Sequence, residues 1–135
     1  MQWIELVTLA ALLQFFAFGL LVGRARMRHQ IQAPAQSGHP IFERYFRVQM
    51  NTLETLVVFL PSLWIAAQYW RQEWVALIGV VYLVGRQLYL RGYVSDPKRR
   101  SLGYGLSALP ILVLIIASLI GIVRALIAAA AVTTG

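Results

Sequence analysis

Four long apolar segments, separated by short polar loops, dominate the pattern of hydrophobic and polar positions along this chain. They cover about 4–22, 46–70, 74–93 and 106–132. Each is long enough to cross a hydrocarbon layer of about 30 Å, and none alternates apolar and polar residues as a transmembrane strand does. Because a backbone in lipid must satisfy its own hydrogen bonds, the pattern predicts four helices. We expect an all-α integral membrane protein, a four-helix bundle with a single domain over 1–135.

The first apolar segment has a second interpretation, a secretory signal peptide. In a signal peptide the basic residues precede the apolar run and a small-x-small cleavage site follows it. Here the basic residues follow, beginning at Arg24, and no such site comes before them. The segment is therefore predicted to be a membrane-spanning helix.

Composition narrows the classes of protein further. The chain is 59% hydrophobic and 13% charged, whereas a soluble domain carries about 25% charged residues. This argues against a water-soluble enzyme, and the high hydrophobicity excludes a disordered chain. The absence of cysteine excludes a disulfide scaffold and catalytic thiols. His29 and His39 are too isolated to indicate a metal site, so none is predicted.

The net charge of +7 is concentrated in two loops. The second loop has only Arg71, offset by Glu73. The positive-inside rule then places the first and third loops in the cytoplasm and both termini outside. Anionic membrane lipid explains this charge better than nucleic acid, which we do not expect as a partner. A bacterial inner membrane is predicted, with the endoplasmic reticulum as the alternative. The basic residues of the two loops are Arg24, Arg26, Arg28, Arg44, Arg47, Arg91, Lys98, Arg99 and Arg100.

Polar residues form a row at the start of the second apolar segment. Arg47, Asn51 and Glu54 are spaced i, i+4, i+7, which places them on one helical face. A cation, an amide and a carboxylate in this row can bind a zwitterionic ligand. A polar clamp within one helix or between two helices explains the row equally well. Both interpretations stay open at this point.

The third apolar segment has a second row, formed by Tyr82, Arg86, Tyr89 and Tyr93. Arg86 lies about 10 Å deeper than Tyr93 at a rise of 1.5 Å per residue, and a charge at that depth needs a partner. The acids within the apolar segments are Glu5 and Glu54, so we expect one of them to pair with Arg86. The rows predict an anion-binding pocket at the cytoplasmic ends of the second and third helices. A small transporter is an alternative, but the internal repeats typical of transporters are absent.

Two stretches carry a family resemblance. The sequence FERYFRVQMNTLE at 42–54 resembles the signature FER-x-x-R-x-Q-x-N-x-x-E of the MAPEG family, the membrane-associated proteins of eicosanoid and glutathione metabolism. The sequence VYLVGRQLYLRGY at 81–93 is similar to the third helix of that family. The likeness covers about 24–106. It implies a homotrimer of four-helix protomers, with glutathione as co-substrate held between neighbouring subunits.

The resemblance also implies roles for single residues. Arg100 corresponds to the catalytic arginine that stabilises the glutathione thiolate. Met27 stands where the leukotriene-forming member has a second catalytic arginine, and Thr55 follows Glu54 where relatives commonly have an aromatic residue. A leukotriene-specific reaction and a particular hydrophobic substrate are therefore not transferred. The residues that the resemblance assigns to glutathione binding are Arg26, Arg47, Gln49, Asn51, Glu54, Tyr89 and Tyr93.

The function implied by this resemblance is that of a membrane-bound glutathione transferase with a detoxifying role. It conjugates the glutathione thiolate to hydrophobic electrophiles and, as a side activity, reduces lipid hydroperoxides. The alternative is a non-catalytic lipid-binding scaffold resembling the 5-lipoxygenase-activating protein, which lacks the arginine equivalent to Arg47. The joint presence of Arg47, Asn51, Glu54 and Arg100 favours the catalytic branch.

Overall fold

The computed structural model describes residues 1–133, and within them the chain forms four long α-helices and one short 3-10 turn. All four helices are long and apolar enough to cross a membrane. The prediction of an all-α fold with four membrane-spanning helices is confirmed. The homotrimer and the single domain over 1–135 stay predictions. The last two residues of that domain lie outside the described residues. The elements are α1 (Gln2–Arg28), α2 (Pro40–Tyr69), α3 (Gln72–Ser95), the short turn (Pro97–Arg100) and α4 (Ser101–Thr133).

The helices extend past the apolar segments at the end of the bundle that carries the basic loops. His39 caps α2, because its Nδ1 atom accepts a hydrogen bond of 3.2 Å from the backbone N–H of Ile41. Pro40 follows at the first helical position, where its missing N–H leaves no bond unmade. Asp96 caps the short turn by accepting a bond of 3.1 Å from the N–H of Lys98. The polar start of α2 is therefore helical, and its side chains have fixed directions.

The largest cluster of buried side chains lies in the half of the bundle away from these basic loops, and two smaller clusters lie nearer to them. Its buried members come from all four helices, and the rings of Phe59 and Tyr82 stack at 3.8 Å between centroids. In lipid, close packing rather than exclusion of water holds helices together. The largest fully buried apolar side chains are Ile4, Phe42, Val48, Phe59, Leu63, Tyr82 and Leu114.

Two glycines bring α3 and α4 into backbone contact. A Cβ atom built on Gly103 would lie 2.2 Å from the backbone nitrogen of Tyr89. One built on Gly85 would lie 2.5 Å from the carbonyl carbon of Leu106. Small residues allow this kind of approach between membrane helices. The consequence is that Tyr89 lies directly beside the first turns of α4, close to Arg100.

The outer faces of the bundle are apolar. Exposed leucine, isoleucine, valine and phenylalanine side chains cover α1 and α4, as expected of surfaces that contact lipid. A water-soluble monomer rarely exposes so large an apolar surface. On α1 these side chains are Leu6, Leu9, Leu12, Leu13, Phe16 and Leu20.

Candidate functional site

A cavity of about 610 Å³ opens where the ends of α2, α3 and α4 meet. We call it the polar cavity. Its volume falls within the range of sites for small molecules. Five residues assigned to the site from sequence line it together, although they come from two helices and the short turn. The lining residues are Arg47, Asn51, Tyr89, Tyr93, Arg100, Ser101, Tyr104 and Gly105.

The polar row of α2 forms an ion pair along its own helix. Nη1 of Arg47 lies 3.6 Å from Oε1 of Glu54, and Nδ2 of Asn51 donates a hydrogen bond of 3.3 Å to Oε2 of Glu54. The ion pair of the polar clamp that the sequence left open therefore lies within α2, and Asn51 also joins α2 to α3. Both charged side chains are more than half exposed, and an exposed pair contributes only about 0–1 kcal/mol. A ligand with its own carboxylate and ammonium can displace this pair readily.

Arg86 is fully buried, and its partners differ from those expected. Its Nη1 atom donates hydrogen bonds of 2.9 Å to Oδ1 of Asn51 and 3.3 Å to Oγ1 of Thr55. Its guanidinium also lies 4.3 Å from the ring centroid of Tyr89. The expectation of an acidic partner is wrong, because Glu54 turns outward to Arg47.

The positive charge of Arg86 is left unbalanced beneath the polar cavity. The other acid expected to pair with Arg86, Glu5, is in the first turn of α1. Nε and Nη2 of Arg86 have no hydrogen-bond partner among residues 1–133. A cation held in surroundings of low dielectric attracts anions strongly. Arg86 therefore adds to the attraction that Arg47 and Arg100 exert on an anion in the cavity.

A chain of hydrogen bonds connects the core to the polar cavity. The hydroxyls of Tyr82 and Thr55 are 2.8 Å apart, and Thr55 also accepts from Arg86, which in turn donates to Asn51. Thr55 is the residue that the sequence marked as a departure from the family pattern. Its small hydroxyl completes this chain, which a bulky aromatic side chain could not do.

Three residues assigned to ligand binding lie outside the lining of the polar cavity: Glu54, which is next to it on α2, and Arg26 and Gln49, which are farther away. Arg26 donates a bond of 2.7 Å to the carbonyl of Ala35 and stacks 4.7 Å from the ring centroid of Phe42. Gln49 packs against α1, since a Cβ atom on Gly19 would lie 2.9 Å from its Nε2 atom. Both residues are on the α1–α2 side of the bundle. Within a single chain, Arg26 and Gln49 therefore do not line the polar cavity.

An apolar groove between α2 and α4 adjoins the polar cavity. Its volume is about 260 Å³, and it includes Glu54, which lies outside the lining of the cavity itself. Tyr104 lines both spaces. Sequence reasoning missed Tyr104, which lies in the first turn of α4, shortly after Arg100 at the end of the short turn. The groove is lined by Glu54, Thr55, Val58, Tyr104, Ser107, Ala108, Ile111, Leu112 and Ile115.

The two histidines of the first loop stack on each other, with 3.6 Å between ring centroids. Partial burial, followed by the charges of His39 and Arg28, lowers the pKa of His29. Within residues 1–133, no group of three or more His, Cys, Asp or Glu side chains is arranged to hold a metal ion. The groups available for chemistry in the polar cavity are guanidinium, amide and hydroxyl groups.

Comparisons with known proteins identify relatives of this chain. An uncharacterized protein of Synechocystis sp. is 39% identical over 120 residues, which are 89% of this chain and 88% of that protein. Human microsomal glutathione S-transferase 2 is 42% identical over 90 residues, or 67% of this chain and 61% of the human protein. Leukotriene C4 synthase of Cavia porcellus is 36% identical over 125 residues, or 93% and 83%.

The family model matches most of the chain. It covers residues 4–120, a range that includes every residue lining the polar cavity and the apolar groove. The helical bundle, the arginine-rich cavity and this match agree with one another. The chain belongs to the MAPEG family.

Proposed function

We propose that this protein is a membrane-bound glutathione transferase that conjugates the thiolate of glutathione to hydrophobic electrophiles. The observation that carries the proposal is the polar cavity, where Arg47, Asn51 and Arg100 converge with three tyrosines. The names of two relatives, microsomal glutathione S-transferase 2 and leukotriene C4 synthase, support it. Glutathione is the co-substrate, and the electrophile enters from the bilayer.

The charges of glutathione match the polar row of α2. The tripeptide has two carboxylates and one ammonium at neutral pH. Arg47 binds a carboxylate through charge-assisted hydrogen bonds, and Glu54 binds the ammonium. Binding thus exchanges the exposed pair between Arg47 and Glu54 for two pairs with the ligand. Asn51 lies between them and offers its amide N–H groups.

Arg100 supplies the charge that activates the thiol. A thiol is a weak nucleophile until it ionises, and a neighbouring cation favours the thiolate. Arg100 lines the cavity together with Arg47, at the point where the short turn meets α4. Tyr89 and Tyr93, with 5.5 Å between ring centroids, form the α3 wall. The thiolate then attacks the electrophile, and no residue of the protein is covalently modified.

The apolar groove is the route for the second substrate. It joins the polar cavity at Tyr104 and is otherwise lined mainly by apolar side chains of α2 and α4. A hydrophobic electrophile or a lipid hydroperoxide that reaches the groove meets the thiolate at this boundary. The non-catalytic scaffold alternative explains the groove but gives no role to the arginines of the adjoining cavity.

A homotrimer completes the site. Arg26 and Gln49 are on the α1–α2 side, whereas the polar cavity opens among α2, α3 and α4. We infer that these two residues bind glutathione held by a neighbouring subunit. Each of the three sites then combines residues from two chains.

We further infer that the polar cavity faces the cytoplasm of a bacterial inner membrane. Nη1 of Arg44 donates a hydrogen bond of 2.9 Å to the carbonyl of Val94, so the start of α2 and the end of α3 meet at one end of the bundle. The basic first loop and the basic short turn are both at this end. The positive-inside rule assigns such an end to the cytoplasm, where glutathione is available.

The test is conjugation of glutathione to chlorodinitrobenzene by the purified protein, with thiolate formation followed by ultraviolet absorbance. We expect conjugate and a thiolate signal from the wild type. Arg100→Ala should lower the rate about 100-fold and remove the thiolate signal. Arg99→Ala is the matched control, because Arg99 is the neighbouring arginine of the same turn but does not line the cavity. A wild type that neither binds glutathione nor forms conjugate would overturn the proposal.

A further inference from the structure

A second basic pocket lies between the end of α1 and the start of α2, apart from the polar cavity. We call it the α1–α2 pocket. Its volume is about 200 Å³, below the about 300 Å³ at which sites for whole small molecules begin. This size suits one charged group of a larger ligand. The lining includes Leu21, Arg24, Arg28, His29, Ile41 and Tyr45.

The two arginines of this pocket have no acidic partner. Arg24 and Arg28 are four residues apart on α1, so their side chains share one helical face. Both are exposed, and neither guanidinium forms a hydrogen bond or an ion pair within residues 1–133. No Asp or Glu of that part of the chain lines the pocket. Glu43, in the first turn of α2, instead accepts a bond of 3.0 Å from the N–H of Gly38.

The pocket lies on a different side of α1 from Arg26. Arg26 comes two residues after Arg24 and two before Arg28, which places it about 200° around the helix from both. It donates a hydrogen bond of 2.7 Å to the carbonyl of Ala35 and lies over the ring of Phe42. The surface of α1 that we assign to a neighbouring subunit therefore leaves Arg24 and Arg28 available to another ligand.

Two ring side chains add hydrogen-bond donors to the pocket. His29 stacks on His39, with 3.6 Å between ring centroids, which holds its ring in place. The hydroxyl of Tyr45 has no hydrogen-bond partner within residues 1–133. Guanidinium groups bind phosphate through charge-assisted hydrogen bonds, often two from one arginine. The pocket therefore offers a phosphate two cations and two further donors.

The pocket also has an apolar end, which lies deeper in the membrane. Leu21 precedes Arg24 by three residues, a depth of about 4.5 Å along α1. Its neighbour Leu20 is exposed on the lipid-facing surface. A ligand bound here therefore has its charged group at the level of the lipid headgroups and can extend along apolar side chains. A phospholipid uses both ends of the pocket, whereas a free phosphate uses one.

We propose that the α1–α2 pocket binds the phosphate of an anionic phospholipid, whose acyl chains extend along α1. Basic pockets between membrane helices are typical sites for such headgroups. A zwitterionic headgroup fits less well, because the pocket has no carboxylate to bind its ammonium group. The general attraction of basic loops for anionic lipid needs no pocket and gives no fixed number of bound lipids. This inference does not depend on the proposed transferase activity.

The test measures lipid binding to the purified protein in an uncharged detergent by native mass spectrometry. The wild type should retain one phosphatidylglycerol per chain, with a Kd about 10-fold lower than for phosphatidylcholine, as expected of charge-assisted bonds. Arg24→Gln/Arg28→Gln should abolish this preference. Arg91→Gln/Arg99→Gln is the matched control and should keep it. This control removes the same charge from exposed residues at the same end of the bundle, and neither residue lines the pocket.

Hydrogen exchange of 29–41 locates the bound lipid. Phosphatidylglycerol should slow the exchange in the wild type and in the control, but not in Arg24→Gln/Arg28→Gln. Circular dichroism of that variant should match the wild type, because both replaced side chains are exposed. Glycerol phosphate, which has the anionic group without acyl chains, should neither slow the exchange nor displace the lipid.

Three outcomes would overturn the proposal. Equal losses of phosphatidylglycerol in the two double variants would assign binding to the overall positive charge. Displacement of the lipid by an equal concentration of glycerol phosphate would make the pocket a site for soluble anions. A wild type without a preference for phosphatidylglycerol would show that the pocket does not select anionic lipid.

Discussion

The Nη1 atom of Arg86 donates a hydrogen bond of 2.9 Å to Oδ1 of Asn51, from α3 to α2. The bond occupies the acceptor of the Asn51 amide, so the amide nitrogen is directed to Glu54 and the polar cavity. Arg86 does not line the cavity itself. It nevertheless determines that Asn51 presents a donor there, which is what an anionic ligand requires.

Replacing Arg86 by methionine should separate ligand binding from stability. Without the bond from Arg86 the Asn51 amide is free to rotate, so the Kd for glutathione should rise about 10-fold, which corresponds to 1.4 kcal/mol. The melting temperature should change little, because replacing a buried unpaired charge by an apolar side chain of similar volume is often neutral or stabilising. Titration calorimetry and thermal unfolding in detergent measure the two effects.

Arg124→Met is the matched control for this change. Arg124 is also an arginine within a membrane-spanning helix, but it lies near Trp70 and Gly121, outside the cavity. Its replacement should leave the Kd for glutathione at the wild-type value. An unchanged Kd in Arg86→Met, or equal changes in both variants, would show that Arg86 does not orient the cavity.

The sequence predicted those parts of the site that depend only on the periodicity of a single helix. Arg47, Asn51 and Glu54 share a face because they belong to one helix, and the i, i+4, i+7 spacing is sufficient to show this. The partner of Arg86 was mispredicted because the answer depends on the direction of Glu54, which turns to Arg47 on its own helix. A single sequence carries no direct signal of such a choice between partners.

Tyr104 was missed for a related reason. Its position beside the polar cavity follows from the close packing of α3 on α4 at Gly85 and Gly103. Hydropathy shows these glycines only as small residues within apolar segments. Their effect appears once the two backbones are placed against each other.

Replacing Gly103 by alanine should disturb the site by moving the backbones of α3 and α4 apart. The added methyl of Gly103→Ala would overlap the backbone of Tyr89, so α3 and α4 must separate. Overpacking of this kind costs about 1–3 kcal/mol, and conjugating activity should fall with it. Gly23→Ala is the control, because nothing lies within 4 Å of its added Cβ. Loss of stability in both variants, or in neither, would contradict the argument from packing.

Glu54→Gln should weaken the binding of the ammonium group of glutathione and leave the binding of its carboxylates unchanged. Its Kd for glutathione should rise about 10-fold, a typical loss for a charge-assisted bond, whereas a glutathione analogue without the amino group should bind as it does to the wild type. Glu73→Gln is the control, since Glu73, in the first turn of α3, forms a similar exposed pair with Arg71, at 3.5 Å. Equal weakening of both ligands would indicate a general loss of the site instead.

Mixed subunits test whether neighbouring chains share a site. Arg26→Ala and Arg100→Ala should each be nearly inactive when expressed alone. When both are expressed together, some sites combine the intact Arg26 of one chain with the intact Arg100 of its neighbour, and activity should reappear. The measurement is conjugation by the co-purified assembly, compared with a mixture of the two variants purified separately. Activity that never exceeds that of the mixture would place each site within one chain.

Acidification should loosen the first loop. Partial burial, His39 and Arg28 lower the pKa of His29, so the folded state favours the neutral ring. The neutral ring of His29 therefore contributes to the stability of the first loop above the ordinary histidine pKa of about 6.5. This contribution is lost as the pH falls through the lowered pKa of His29. Hydrogen exchange of 29–41, corrected for intrinsic rates, should quicken between about pH 7.5 and 5.

The positive groups near the stacked rings are Arg24 and Arg28, so protonation adds a further charge to an already basic environment. His29→Phe keeps an aromatic ring on His39 but does not titrate at this position. The acceleration of exchange at low pH should therefore be much smaller in this variant. Identical pH dependence in the two proteins would assign the effect to other groups.

The glycine contacts between α3 and α4 have a consequence for substrate range. Two backbones in direct contact cannot shift relative to each other without moving both helices, so the wall of the polar cavity that α3 and α4 form has a fixed shape. The groove between α2 and α4 is formed by side chains, which can change rotamer singly. For the proposed transferase, we therefore expect strict selection of the thiol substrate and tolerance for electrophiles of different shape.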